Sequence, residues 1–159
     1  MNQEVAVLPM PREIALSEIS GFVGQELGVS DWMELSQQRI EEFAAATGDH
    51  HWMHVDVARA TRELGGPIAH GLLTLSLLPL LSNQIMRLTG YASGFSYGYD
   101  RLRFTHPVPA GRRVRLRQTL LSVEPRGAAQ LLRVACTIEL EGADAPALVA
   151  EWLSLYYPR

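Results

Sequence analysis

The sequence predicts an α+β fold in which an antiparallel curved β-sheet is wrapped around a long central α-helix. Three observations predict it. The stretch GLLTLSLLPLLSNQIMRLTG, which begins at Gly71, places apolar residues around the whole helical circumference, and a helix apolar on every side must be covered by other elements. Beyond Gly90 the spacing of apolar residues changes from helical to alternating, so strands follow in succession. At 159 residues and 47% hydrophobic, the chain has the size of one domain and enough apolar material for its core.

Taken in chain order, residues 1–18 read as an N-terminal extension lying on the surface, and 19–159 as a single domain. Residues 32–35 are a candidate first strand. Ile40, Phe43 and Ala44, with polar residues between them, predict a helix over 36–47, with Ser36 as its N-cap and Gly48 as its terminator. Residues 49–54 then bridge to a second short helix that Asp56 can cap and that Gly65, Gly66 and Pro67 end. The central helix runs from Gly71 through Leu88, and Pro79 inside it should kink or break it, because proline lacks the amide donor and crowds the preceding turn.

Four strands are expected at 95–105, 112–123, 129–141 and 147–157. The alternation is clearest where Val114, Leu116 and Leu120 oppose Arg113, Arg115 and Arg117, and in the row from Leu132 to Leu140. Turns fall at 125–127 and 141–144. The single cysteine, Cys136, cannot form an intramolecular disulfide and sits in an alternating row, so it reads as a small buried side chain.

The net charge of −3 conceals an asymmetry. Residues 1–80 hold four arginines against eleven acids, and residues 81–159 hold ten against six. All fourteen basic residues are arginine, whose planar fork suits phosphate, so an anionic ligand is permitted. The acidic total and the lack of aromatics interleaved with basic residues argue against nucleic acid as a partner. The N-terminus has no basic stretch ahead of a long apolar run, which predicts a cytoplasmic protein. The most apolar segment, residues 72–81, contains Thr74, Ser76 and Pro79 and falls well short of the roughly 20 residues that cross a bilayer.

Residue by residue, Asp49 after Gly48 is an ordinary turn or cap residue, His54 a satisfied surface histidine, and Gly71 a glycine packed closely at a helix entrance. The segments FAAATGDHHWMHVD and GGPIAHGLLTLSLLP, however, together resemble the MaoC-like dehydratase family, and within it the subgroup named after nodulation protein N. A third stretch, SYGYDRLRFTHPVPAGRRVRLR, matches less strongly, and the resemblance covers roughly residues 30 to 157. It implies a hot-dog fold, (R)-specific hydration of trans-2-enoyl-CoA, and the roles of catalytic residues for Asp49 and His54. It also implies an oxyanion-binding amide at Gly71 after His70, which itself reads as structural and helps to position the helix start, and a place near the acyl pocket for Tyr97 and Gly98, although an aromatic in an alternating strand is more often core. Where many family members have Asn-Pro inside the first motif, this chain has His51-Trp52, a departure that bears on local hydrogen bonding and substrate preference.

The residue types suit that chemistry. Hydration needs a water made nucleophilic at Cβ, a proton delivered to Cα, and an N–H for the negative charge that develops on the thioester oxygen. A carboxylate and a neutral imidazole can hold one water between them near neutral pH, and the sequence leaves open which is base and which is acid. The first amides of a helix lack internal acceptors and lie at its positive end. Neither metal nor cofactor is expected beyond the coenzyme A thioester substrate. Arg101, Arg103, Arg112 and Arg113 are candidates to meet its phosphates, and a homodimer is expected because one short sheet leaves an edge strand to pair. Three other readings stand beside this one: a hot-dog thioesterase, a non-catalytic acyl-thioester binding module, and a metallohydrolase built on Asp49, His50, His51, His54 and His70.

Overall fold

A computed structural model describes residues 10–159. Its main sheet is antiparallel and built in the order β2 (Glu26–Val29), β6 (Arg113–Arg126), β7 (Ala129–Leu140), β8 (Leu148–Pro158) and β5 (Tyr91–Phe104), with the two-residue β3 (Met33–Glu34) also paired to β6. The alternation in the sequence sorts the two faces. Val114, Leu116, Gln118 and Leu120 of β6 are buried, and so are Leu132, Val134, Cys136, Ile138 and Leu140 of β7. On the opposite face, Arg115 and Arg117 both pair with Glu139, and Arg113 pairs with Glu141. Register shifts within the β6–β7 and β5–β8 pairings mark bulges, which strengthen local twist and so curve the sheet.

The helical segment against the concave face is α4 (Gly71–Ser76) followed by α5 (Leu78–Ile85), with Leu77 at the break. Pro79 lies in the first turn of α5, where its missing N–H leaves no internal bond unmade. Leu73, Leu77, Leu78, Leu81 and Ile85 are buried in the core.

The expected helix is corrected in two respects. It ends at Ile85, and Met86–Thr89 form β4, which pairs in parallel with β1 (Arg12–Ala15), setting Leu88 beside Ile14. A short apolar run carries no period strong enough to distinguish helix from strand, and here a distant partner strand decides. The helix is also not covered all round, since Leu72 is 57% and Leu80 47% exposed.

The expected surface extension is corrected at two positions of its described part. Residues 1–9 lie outside the described residues, but Ile14 and Leu16 are buried in the core, as is Ile19 just beyond. Residues 33–34 are not the first strand, because β1 and β2 precede them. The turn expected at 125–127 lies later, since Pro125 and Arg126 still pair with β7 and Gly127, at φ 59°, begins the reversal.

α1 (Gln37–Thr47) starts and stops where its caps predict. The Ser36 hydroxyl accepts from the Arg39 amide at 3.2 Å, and Gly48 adopts φ 80°. Then come α2 (Trp52–Val55), a helical turn that overlaps the expected bridge, and α3 (Val57–Leu64), whose Asp56 cap accepts from Arg59 at 3.0 Å. Cys136 is buried, and its burial pushes the thiol up to about 11. Among the described residues, no helix is long and apolar enough to cross a membrane.

Candidate active site

Two chain segments distant in sequence build the site: the turn and helix carrying Asp49 and His54, and the strand-like approach to α4 carrying Ile68, His70 and Gly71. The second segment is held on both sides. The Ile68 amide donates to the Met53 carbonyl at 3.0 Å, and the Ala69 amide donates to the Val108 carbonyl at 2.8 Å. α1 fastens the first segment, since Gln37 Nε2 donates to the His54 carbonyl at 2.8 Å.

The two histidines interlock the segments. His54 Nδ1 lies 2.7 Å from the carbonyl oxygen of Ile68, and His70 Nε2 lies 2.9 Å from the carbonyl oxygen of Asp49. A carbonyl only accepts, so each ring carries its proton on the nitrogen named. In the neutral ring, which burial of His54 favours, Nε2 is then a bare acceptor. The two imidazoles stack with centroids 3.8 Å apart and planes 28° apart, and Phe43 of α1 packs against His70 at 4.9 Å. His70 Nδ1 is buried without a hydrogen-bond partner, an arrangement that costs about 1–3 kcal/mol.

Asp49 is exposed, and its Oδ1 accepts weakly from the His51 amide at 3.3 Å. Ligating atoms of Asp49, His54 and His70 all lie within 4.8 Å of one another. Burial is the largest influence on His54 and holds its pKa below the ordinary 6.5; the adjoining His70 acts in the same direction, while the bond to Ile68 and the charge of Asp49 oppose it. A buried imidazole with a bare Nε2 beside a carboxylate can accept a proton from a water held between them.

These groups face a cavity of about 390 Å³ that is also lined by Gly71, Leu72, Thr74 and Phe104. Gly71 is the first residue of α4, and its N–H meets no backbone acceptor among the described residues. The cavity therefore combines a carboxylate, an imidazole acceptor and a helix-start amide. A family model, the MaoC like domain, matches residues 18–138.

The chain belongs to the MaoC-like family.

Relatives of this MaoC-like chain agree. It is 40% identical over 144 residues to 3-hydroxyacyl-thioester dehydratase Z of Mycobacterium tuberculosis, covering 89% of this chain and 95% of that one. It is 44% identical over 147 residues to Nodulation protein N of Rhizobium meliloti, covering 90% and 91%. Among solved structures, the unliganded R-hydratase PhaJ1 from Pseudomonas aeruginosa superposes with a TM-score of 0.71 at 24% identity, over 86% of this chain and 83% of that one. The hot-dog fold expected from the resemblance is the fold these neighbours share.

Of the residues singled out in the sequence, the MaoC-like fold brings Asp49, His54, His70 and Gly71 together at one cavity. Tyr97 and Gly98 are not among the residues lining it. Tyr97 is half exposed on β5, where Arg126 donates to its hydroxyl at 2.7 Å and lies over its ring, and Gly98 has open space around it. Arg112 and Arg113 are engaged by Glu141, and Arg101 lies 3.5 Å from Glu151. Arg103 donates to the Leu102 carbonyl and has no carboxylate partner among the described residues. Phe104 and His106, on the wall of the cavity, were not singled out. The only sequence signal for them was their place in the third, weaker block of the resemblance.

Proposed function

We propose that this protein adds water across the Cα–Cβ double bond of a trans-2-enoyl thioester of coenzyme A, and removes it in the reverse direction, with Asp49 and His54 as the acid–base pair. The observation that carries the reading is the meeting of the Asp49 carboxylate and the bare His54 Nε2 at one cavity, whose rim includes the free amide of Gly71. The name of the mycobacterial relative, a 3-hydroxyacyl-thioester dehydratase, supports the same class of reaction.

In this scheme one water accepts hydrogen bonds from no protein group but donates to both Asp49 and His54 Nε2. As its oxygen bonds to Cβ, its proton passes to the pair, and a proton from the pair is delivered to Cα on the same face. The Gly71 N–H, at the positive end of α4, stabilises the charge on the thioester oxygen. Addition is therefore syn, and the family resemblance gives the product as the (3R)-hydroxyacyl thioester. The step uses no metal.

A homodimer completes the proposal. β5 is a fourteen-residue edge strand with Phe95 and Phe104 at least half exposed, and an unpaired edge of that length is a template for a second copy. The decisive experiment is incubation with crotonyl-coenzyme A. Loss of the enoyl absorbance with formation of the (3R) alcohol, unaffected by chelator, is the expected result. Free thiol would instead assign a thioesterase, and no turnover would favour a binding module.

A further inference from the structure

The geometry points to His70 as a positioning residue for this reaction: through its Nε2–H bond to the Asp49 carbonyl and its stack beneath His54, it sets both members of the acid–base pair at once. The inference rests on the hydratase reading for its role in turnover, and on geometry alone for its role in the site.

His70 is 3% exposed and takes no step of its own in the proposed chemistry. Its contacts are instead with the two residues that do the chemistry. The bond to the Asp49 carbonyl, at 2.9 Å, is the longest-range side-chain tie on that residue. The other contacts of Asp49 are with its neighbours Thr47 and His51, at 3.4 and 3.3 Å. Without His70 the exposed Asp49 loses its link to the second segment, and its carboxylate is free to leave the position shared with His54.

The stack acts on the other member. Phe43 packs against His70 at 4.9 Å with its ring tilted by 53°, and the buried His70 ring offers the plane on which the His54 ring stacks at 3.8 Å. The His54 ring is thus located by the Ile68 carbonyl at one nitrogen and by a rigid face beneath it. The unpartnered Nδ1 of His70 follows from the same arrangement. The bond to the Asp49 carbonyl engages Nε2 as the donor, which turns Nδ1 toward a place where no partner reaches it. A residue chosen only to fill the helix entrance would not carry that unsatisfied atom; a residue needed for a donor at one edge and a flat face does.

The test separates the two contributions. His70→Phe keeps the ring and the stack but has no donor, whereas His70→Gln keeps an N–H near the position of Nε2 but has no ring. Thermal melting of both variants identifies the temperature range in which each is folded, and kinetics are read there. The expected result for His70→Phe is a fall in kcat of about tenfold to a hundredfold, the scale of a displaced catalytic group, with KM within about twofold of the parent. His70→Gln should recover a large part of that loss. Equal kcat in His70→Phe and the parent, or losses confined to melting temperature, would overturn the proposal and leave His70 a packing residue. A second readout does not depend on activity. In ¹⁵N-histidine NMR of the parent protein, His70 should show the Nε2–H tautomer, and the His54 ring signals should shift in His70→Phe. Finding His70 protonated on Nδ1 would overturn the proposal even if the protein hydrates enoyl thioesters. Conversely, the tautomer can hold while crotonyl-coenzyme A is not turned over, in which case the hydratase reading fails and the positional one stands.

Discussion

Gly71 lies against the ring of Phe104 so closely that a Cβ added to it would stand 2.9 Å from two of the ring carbons. The first residue of α4 is therefore fitted to an aromatic from β5, and both border the same cavity. Gly71→Ala should push the half-exposed Phe104 ring aside and lower kcat/KM by about tenfold, the order expected when groups at a site are displaced. Phe104→Ala in the same chain should restore most of the loss. Two independent defects, adding without rescue, would show that the contact is incidental.

Asp49→Asn and His54→Ala should each lower kcat by about a hundredfold or more, as expected for loss of a positioned proton-transfer group. The double variant should be little worse than either single one, because both side chains orient one water. Near-parental turnover in both variants would remove the acid–base assignment.

The pH dependence follows from the burial of His54. Its pKa is held below 6.5, and the proposed role needs the bare ring, so activity should persist as the pH falls to that lowered value and decline only beneath it. The acidic limb of kcat/KM, which reports the free enzyme, is expected below 6.5. A limb above that value would mean that another group controls the reaction.

Light scattering at micromolar concentration should give the mass of two chains. Phe95→Asp, a charge placed on the exposed edge strand β5, should shift the population toward single chains, because charged residues disfavour edge-to-edge pairing. A parental mass that is already that of one chain would refute the dimer.

The parts of the fold set by local rules were legible in the sequence. Ser36 and Gly48 bracket α1 because a hydroxyl cap and a left-handed glycine act within a few residues. The alternation in β6 and β7 needs only one face buried and one in water. β4 and β1 were not legible, because neither short segment has a period of its own and each becomes a strand only through the other. At the site, Asp49, His54 and Gly71 were found through the motifs that surround them and not through their own chemistry, which fits ordinary caps and turns equally well. His106 went unremarked, since an exposed histidine beside a proline in a loop gives no local signal and only the folding of β5 toward α4 brings it to the cavity wall. Tyr97 and Gly98 illustrate the converse: the motif assigned them to the acyl pocket, yet within one chain their strand carries them away from the cavity.

The interlock of the two site segments uses main-chain acceptors only, the carbonyls of Ile68 and Asp49. Every amino acid brings that oxygen with it. The identity of residue 68 is thus free to drift without unfastening His54, and a library of substitutions there should be tolerated far more widely than one at either histidine. The geometry of the site is insulated from much of the mutation around it, and depends instead on the N–H donors that the two histidines bring to those carbonyls.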